Sequence, residues 1–137
     1  MMVVPTFIGP SQIEGVGIFA GARICNGDMI WVLDERYDLL VPSADLQKLP
    51  EIQRSFFDRY TYPHKLKPGF MVLEFDHGRF MNHSFTPNTD FANWDVAWAI
   101  RDIEEGEEIT CNYAEFDSTF LSYSTGWANE TDRQASA

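Results

Sequence analysis

The sequence has little cysteine, few basic residues and no long hydrophobic run. Its two cysteines, Cys25 and Cys111, are too few for a disulfide-stapled secreted scaffold or for a four-thiolate zinc site. They fit a reducing compartment. Because 10 Lys and Arg face 21 Asp and Glu, the net charge of −11 repels the phosphate backbone of nucleic acids. Direct binding to DNA or RNA is therefore disfavoured, and a cationic partner is favoured.

The absence of a long apolar run also bears on location. Nowhere do 18 apolar residues follow one another, and residues 1–7 lack the basic and apolar regions of a signal peptide. We therefore expect a soluble protein without membrane association. Its expected location is the cytoplasm, or the nucleus if the host is a eukaryote.

Length and composition favour a single domain. The 137 residues are 45% hydrophobic and 15% aromatic, too apolar for a disordered chain and sufficient for a real core. Glycine and proline divide the sequence into short β-branched or aromatic runs, a pattern typical of strands. We predict strands at residues 3–8, 16–20, 29–34, 70–75, 96–101 and 108–113.

Residues 42–60 are the exception and predict two helices. Ser43 can cap a short first helix, and Pro50 can occupy the first turn of a second over residues 51–60. The second helix carries apolar side chains four residues apart, so we expect one of its faces to be buried. These side chains are Ile52, Phe56 and Tyr60. At the other end of the chain, the polar residues 128–137 predict a loose tail.

Two local motifs carry chemical possibilities. Gly15-Val16-Gly17 precedes a predicted strand, and it is either a turn or a backbone cradle for a small polar cofactor; without a third glycine opening a helix, it is no dinucleotide motif. Residues 79–88 mix amide, imidazole and hydroxyl groups with large apolar ones. They form either an ordinary turn or a buried polar pocket, in which Asn82 offers both a donor and an acceptor.

Two further motifs lie towards the C-terminus. An acidic turn around Gly106 leads into a strand that ends at Tyr113, whose phenol can form hydrogen bonds and present an aromatic wall. After it, aromatic residues recur at helical spacing, as core packing or as a segment that closes over a flat ligand. They are Phe116, Phe120, Tyr123 and Trp127.

Taken together, three of these motifs resemble those of the SET-domain lysine methyltransferases. They are Ser11-x-Ile13-x-Gly15-x-Gly17-Ile18-Phe19-Ala20, then Arg79-Phe80-Met81-Asn82-His83-Ser84-x-x-Pro87-Asn88, and Gly106-Glu107-Glu108-Ile109-Thr110-x-x-Tyr113. They follow the family's order and spacing, with an Ile-x-x-Gly-Asp-x-Ile segment at residues 24–30 between the first two. The resemblance covers roughly residues 3–120.

The resemblance implies a mostly β fold of small antiparallel sheets with a C-terminal pseudoknot. It implies a single SET domain over residues 1–127, with a short helical insert at about 42–62 and a channel-closing segment at about 114–127. It also implies S-adenosylmethionine as the methyl donor and S-adenosylhomocysteine as the product. In many family members a cysteine follows the Asn-His-Ser motif and binds zinc; Phe85 stands there in this chain, so zinc is not expected.

The same resemblance implies roles for particular residues. Tyr113 matches the active-site tyrosine of the family. The donor would be bound at Gly15, Val16, Gly17, Arg79, Asn82, His83, Tyr113 and Phe116, with Asn82 on its amino group and the His83 backbone on its adenine. The lysine channel would be formed by Tyr60, Tyr62, Phe91, Trp98 and Cys111. Desolvation in such a channel lowers the pKa of lysine, so no strong side-chain base is required.

The expected activity is methyl transfer from S-adenosylmethionine to a lysine amine of a basic protein or peptide, with a homodimer as a further possibility. The alternative is a non-catalytic module of the same fold that binds the donor or a basic peptide. A third possibility is a metal site formed by histidine and aspartate side chains, although none has helical ligand spacing. Its candidates are His64, His77, His83, Asp76 and Asp90.

Overall fold

The computed structural model describes residues 1–120, which fold into short strands and few helices. The strands are β1 (Thr6–Pro10), β2 (Val16–Ala20), β3 (Met29–Val32), β4 (Leu39–Pro42), β5 (Thr61–Pro63), β6 (Phe70–Leu73), β7 (Asn82–His83), β8 (Thr89–Asp90), β9 (Val96–Ala99) and β10 (Glu108–Cys111). The helices are α1 (Ser43–Leu46), α2 (Glu51–Tyr60) and two short 3-10 helices at His77–Phe80 and Tyr113–Glu115. Within the described part of the chain, no helix is long and apolar enough to cross a membrane.

The strands form three small sheets, which confirms the predicted fold class. One sheet has the order β1-β2-β10-β7, the second β3-β9-β8 and the third β4-β6-β5. All pairs are antiparallel except β7 and β10, which run parallel with Asn82 opposite Thr110 and His83 opposite Cys111. This pairing places the Asn-His motif beside the strand that leads to Tyr113.

Asn88 holds this junction together. Its side chain donates to the Glu108 carbonyl oxygen at 2.8 Å and accepts from the Thr110 N–H at 2.9 Å, so a single amide satisfies two backbone groups of β10. The main core lies between the first two sheets. Its buried members are Ile18, Ala20, Ile24, Ile30, Trp31, Met81, Phe91, Ala97, Ala99, Ile103, Ile109 and Cys111.

The strand predictions agree with the structure in position more than in length. The prediction at 16–20 matches β2, whereas β3, β6, β9 and β10 begin at the predicted residue and end two residues earlier. The first strand begins later than predicted because residues 6–10, and not residue 3, pair with β2. The sequence analysis missed β4, β5, β7 and β8, which are short and lack a clear alternating pattern.

The predicted burial of α2 is wrong, although the helix forms at the predicted residues. None of its side chains is buried; Ile52 is 81% exposed and Phe56 41% exposed. At the end of the helix, the Tyr60 ring packs against Phe80, with the ring centroids 5.5 Å apart. The helix starts also differ from the prediction. Pro42 precedes α1, with Ser43 already inside it, and Pro50 is the N-cap of α2.

Candidate active site

A cavity of about 480 Å³ lies between α2, β6 and the segments around β7 and β10. Its mouth is formed by Ser55, Asp58 and Arg59 of α2, and Arg59 bonds Glu14 across it at 2.8 Å. Its floor consists of buried side chains, including Trp31. The volume and the mostly apolar lining are those of a small-molecule or side-chain site.

Most of the site residues predicted from the sequence meet in this cavity. They are Val16, Tyr60, Tyr62, Arg79, Asn82, Phe91, Cys111, Tyr113 and Phe116. Four predicted residues do not line it: Gly15, Gly17, His83 and Trp98.

The two glycines of the first motif do not line the cavity, but they shape the backbone next to it. Gly15 adopts a left-handed backbone with φ of 51°, and the Ser11 N–H donates to its carbonyl to close the turn before β2. At Gly17, an added Cβ would lie 2.2 Å from Glu108 Oε1 and 3.2 Å from Asn82 Nδ2. Gly17 is therefore required because the Asn82 and Glu108 side chains pack directly against its backbone.

Asn82 has a fixed amide orientation. Its Nδ2 donates to the carbonyl oxygens of Val16 at 3.1 Å and Glu14 at 3.3 Å, and to Glu108 Oε1 at 2.9 Å. Since all three neighbours are acceptors, the NH2 group must face them. The amide oxygen is left as an acceptor at the cavity wall, where it can receive a donor such as an ammonium.

His83 supports the backbone of Tyr113 and does not line the cavity. Its Nδ1 accepts from the Tyr113 backbone N–H at 3.1 Å, which requires the tautomer protonated at Nε2. That buried Nε2 has no hydrogen-bond partner among the described residues and sits among aromatic rings, with Phe85 at 4.4 Å and Phe120 at 4.5 Å. Burial lowers the pKa of His83, so the ring is neutral.

Tyr113 lies just after β10, at the start of a 3-10 helix capped by the Asn112 side chain. Its hydroxyl donates to the Met81 carbonyl oxygen at 2.6 Å, and its N–H is held by His83. Both ends of the tyrosine are thus anchored to the segment that carries Asn82. The residue lines the cavity next to the segment that carries Asn82.

Aromatic side chains enclose the inner part of the cavity. Phe116 lies at the centre, with ring centroids 5.1 Å from Tyr62, 5.5 Å from Phe91 and 5.7 Å from Tyr113. Burial raises the pKa of Tyr62 well above its usual value, as expected in a region of low polarity. This is the environment expected of the channel for an alkyl chain.

Trp98, which the sequence predicted for the channel, does not line this cavity. The residue lies on β9 between the buried Ala97 and Ala99, and strand alternation turns its side chain to the opposite face of the sheet. Trp94, in the loop before β9, lines the cavity instead. Its position depends on the course of that loop, and no sequence pattern distinguished the two tryptophans.

Glu74 was missed by the sequence analysis. It follows directly after β6 and lines the cavity floor, where only 6% of the residue is exposed. Trp31 Nε1 donates to its Oε2 at 2.9 Å, and the Tyr62 hydroxyl lies 3.4 Å from its Oε1. Burial raises the pKa of Glu74 to about 7. Gly78 gives it room, because a Cβ there would lie 1.8 Å from Oε2.

Arg79 lines the cavity, but its guanidinium N–H groups donate hydrogen bonds to backbone carbonyls of the preceding turn. Its Nε donates to the Glu74 carbonyl at 3.0 Å and its Nη2 to the Phe75 carbonyl at 3.2 Å. These bonds stabilise the backbone that carries Glu74. This geometry favours a supporting role for Arg79 over direct recognition of an anion.

The histidines considered for a metal site are not grouped together. His64 pairs with Glu35 at 2.7 Å, His77 contacts Thr6, and His83 accepts from Tyr113. Among residues 1–120, no three His, Cys, Asp or Glu side chains form a group that could hold a metal ion.

Comparison with protein families matches residues 15–114 to the SET domain. A protein from Plasmodium falciparum, described as a histone methyltransferase, has the same fold with a TM-score of 0.57 and 21% identity, over 80% of this chain and 93% of that one. Polycomb Repressive Complex 2 from Chaetomium thermophilum matches with a TM-score of 0.64 and 22% identity, over 87% of this chain but 17% of that one. The chain thus spans a small part of the Polycomb protein's length. No curated protein sequence matches it. Because the SET domain covers most of its length, this chain belongs to the SET domain family.

Proposed function

We propose that this chain is a protein-lysine N-methyltransferase that uses S-adenosylmethionine. The observation that carries the proposal is the meeting of Asn82 and Tyr113 in one aromatic-walled cavity. Asn82 offers an amide oxygen for a cationic amine, and Tyr113 offers a phenol oxygen at an apolar channel. The reaction requires both, because the enzyme must bind the amino group of the methyl donor and position the lysine amine.

The residues present fit the methyl donor. The fixed amide oxygen of Asn82 would receive the donor's ammonium, and the turn carrying Gly15, Val16 and Gly17 would hold its carboxylate end. Phe116 would lie against the adenine; the backbone contact that the family resemblance implies for His83 stays a prediction, because His83 does not line the cavity. When bound, S-adenosylmethionine supplies a methyl group on a positively charged sulfur.

The aromatic part of the cavity would receive the lysine side chain. Tyr62, Phe91 and Phe116 would pack along its methylene groups and exclude water. A free lysine with a pKa near 10.4 is almost entirely protonated at pH 7, and desolvation favours its neutral form. The Tyr113 hydroxyl, held by the Met81 carbonyl, would accept from the amine and orient its lone pair.

The net charge of the chain, −11, favours a basic substrate through long-range attraction. At the cavity mouth itself, Asp58 pairs with Arg54 and Arg59 pairs with Glu14, so the two charges of each pair offset one another. Since one solved relative, the protein from Plasmodium falciparum, is described as a histone methyltransferase, histones are the first substrates to test, and a nuclear location would follow. This chain would then contact lysine and arginine side chains of the histone that lie near the target lysine.

The proposal is tested by incubating the purified chain with radiolabelled S-adenosylmethionine and core histones, and separately with a cell lysate. We expect labelled protein, with methyl-lysine identified by mass spectrometry. Donor binding measured by calorimetry, without transfer to any protein, would instead indicate the non-catalytic module.

A further inference from the structure

One buried ionisable group in the cavity has no part in the function proposed above. Glu74 lies on the floor beside Trp31 and Tyr62, among the same aromatic side chains that would enclose the lysine. A carboxyl group in so apolar a place is costly unless it meets a donor or a cation. Desolvation alone favours the neutral form of lysine, so the reaction needs no strong side-chain base, yet the fold places a carboxyl group here.

Neighbouring carboxyl groups show why Glu74 is different. Asp38 accepts from the backbone N–H groups of Asp34 and Phe75, and Asp76 accepts from those of Met2 and Gly78. Both hold backbone in place, and neither lines the cavity. Glu74 alone of these three faces the space that the substrate would occupy.

The two oxygens of Glu74 are not equivalent. Oε2 accepts a hydrogen bond of 2.9 Å from Trp31 Nε1 and packs against Gly78. Oε1 has only the distant Tyr62 hydroxyl at 3.4 Å. The first contact orients the carboxyl group, and the second leaves Oε1 with capacity for a stronger donor.

We propose that Glu74 is a catalytic residue, whose Oε1 accepts the proton of the substrate lysine ammonium at the cavity floor. This rests on the proposed function. The proton moves from lysine Nζ to the carboxylate, which yields a neutral amine and a carboxylic acid. The amine's lone pair then forms the new N–C bond as the methyl–sulfur bond breaks, and the carboxylic acid returns its proton to water before the next turnover.

The charges around Glu74 suit this role. The amino group of Met1 favours its ionised form, whereas burial, Asp38 and Asp76 disfavour it, and the buried Tyr62 and Cys111 are neutral. Lysine and an ordinary glutamate differ in pKa by about 6, from 10.4 to 4.3. With Glu74 at about 7, that difference falls to about 3 before the lysine itself is desolvated. Proton transfer within the cavity becomes correspondingly easier.

The titration of Glu74 can be followed in the free protein through the Trp31 indole N–H, which reports on Oε2 in a nitrogen–proton NMR spectrum. We expect this signal to titrate with a midpoint near pH 7. Addition of n-butylammonium chloride, which carries the alkylammonium head of lysine, should move the midpoint to lower pH because a cation favours the carboxylate. Sodium chloride at equal concentration and 1-butanol are the controls and should not move it.

Two matched variants complete the test. Glu74→Gln keeps an acceptor for Trp31 but cannot take a proton, and Glu105→Gln removes the same charge from an exposed position. The wild type and Glu105→Gln should reach a plateau of single-turnover rate above about pH 8. Glu74→Gln must take its lysine already deprotonated from solution, so its rate should rise about tenfold per pH unit through pH 9.

The proposal is overturned if the Trp31 signal does not titrate between pH 5 and 9, if butylammonium leaves its midpoint unchanged, or if Glu74→Gln keeps the wild-type pH profile. The NMR arm needs neither methyl donor nor turnover, so it can overturn the proposal even if Glu74→Gln does not fold. Failure of the proposed function has a different signature, because the wild type would then transfer no methyl group at any pH.

Discussion

Asn82 Nδ2 donates to Glu108 Oε1 at 2.9 Å, which joins the side chains of the parallel strands β7 and β10. Ser11 donates to the same carboxylate at 2.9 Å, so the turn before β2 is tied to the pair. Glu108 therefore positions Asn82, because it fixes which end of the amide faces the cavity. The three sequence motifs of the family meet in this one cluster.

The first prediction concerns this pair. Asn82→Ala removes the acceptor for the donor's ammonium and should weaken S-adenosylmethionine binding by about 1 to 3 kcal/mol. Glu108→Ala should weaken it in the same direction, because the amide loses its anchor. In the double variant the two effects should not add, since both act through one group. Calorimetric titration measures all three.

Glu105→Ala is the control, an exposed glutamate in the neighbouring turn that should leave donor affinity unchanged. Full additivity of Asn82→Ala and Glu108→Ala would contradict a positioning role for Glu108. Unchanged affinity in a folded Asn82→Ala would remove Asn82 from the donor site.

The second prediction uses two glycines that face each other across β1 and β2. Gly9 and Gly17 are paired in register, but a Cβ at Gly9 meets only Phe19 at 3.5 Å, whereas at Gly17 it meets Glu108 Oε1 at 2.2 Å. Gly17→Ala must displace the Asn82–Glu108 pair, so donor affinity should fall at least tenfold. Gly9→Ala should leave it within about twofold, and equal effects would contradict the account.

The third prediction separates the two tryptophans near β9. Trp94 lines the cavity and Trp98 lies on the opposite face of the sheet. Trp94→Leu should raise the peptide KM several-fold, because the channel wall is altered. Trp98→Leu should leave kcat/KM within about twofold and act on stability alone, as a packing change does. Steady-state kinetics and thermal unfolding of both variants provide the check.

The fourth prediction concerns salt. The net charge of −11 should draw basic peptides towards the site, and this attraction is screened as the Debye length falls from about 10 Å at 0.1 M to about 3 Å at 1 M. The peptide KM should therefore increase with ionic strength more than the donor Kd does. An acidic peptide that outcompetes a basic one would show that net charge does not select the substrate.

The sequence predicted the residues that belong to motifs, but not the contacts that depend on strand pairing. The motifs located Asn82, Tyr113 and the Gly15–Gly17 turn, because those residues recur at fixed spacing in the family. They did not reveal what approaches Gly17. The side chain that packs there belongs to Glu108, more than 90 residues away, and only the β2–β10 pairing brings the two together.

The misses have physical causes of the same kind. Spacing by four on α2 indicated a buried face, but the helix borders an open cavity and its outer apolar side chains face solvent. Glu74 stands after an apolar strand, where a glutamate usually marks the return to solvent; here the chain turns inward and buries it. The channel-closing roles of residues 121–127, including Tyr123 and Trp127, and the tail at 128–137 lie outside the described residues.

The central claim is that Asn82 holds the methyl donor while Tyr113 acts on the transfer. It is tested most directly by Tyr113→Phe, which removes one hydroxyl, with the exposed Tyr37→Phe as control. Donor affinity by calorimetry should stay within a few-fold, while the single-turnover rate of methyl transfer should fall about a hundredfold, the scale of one lost preorganised contact. Wild-type transfer by Tyr113→Phe, or an equal loss of binding and rate, would contradict the account.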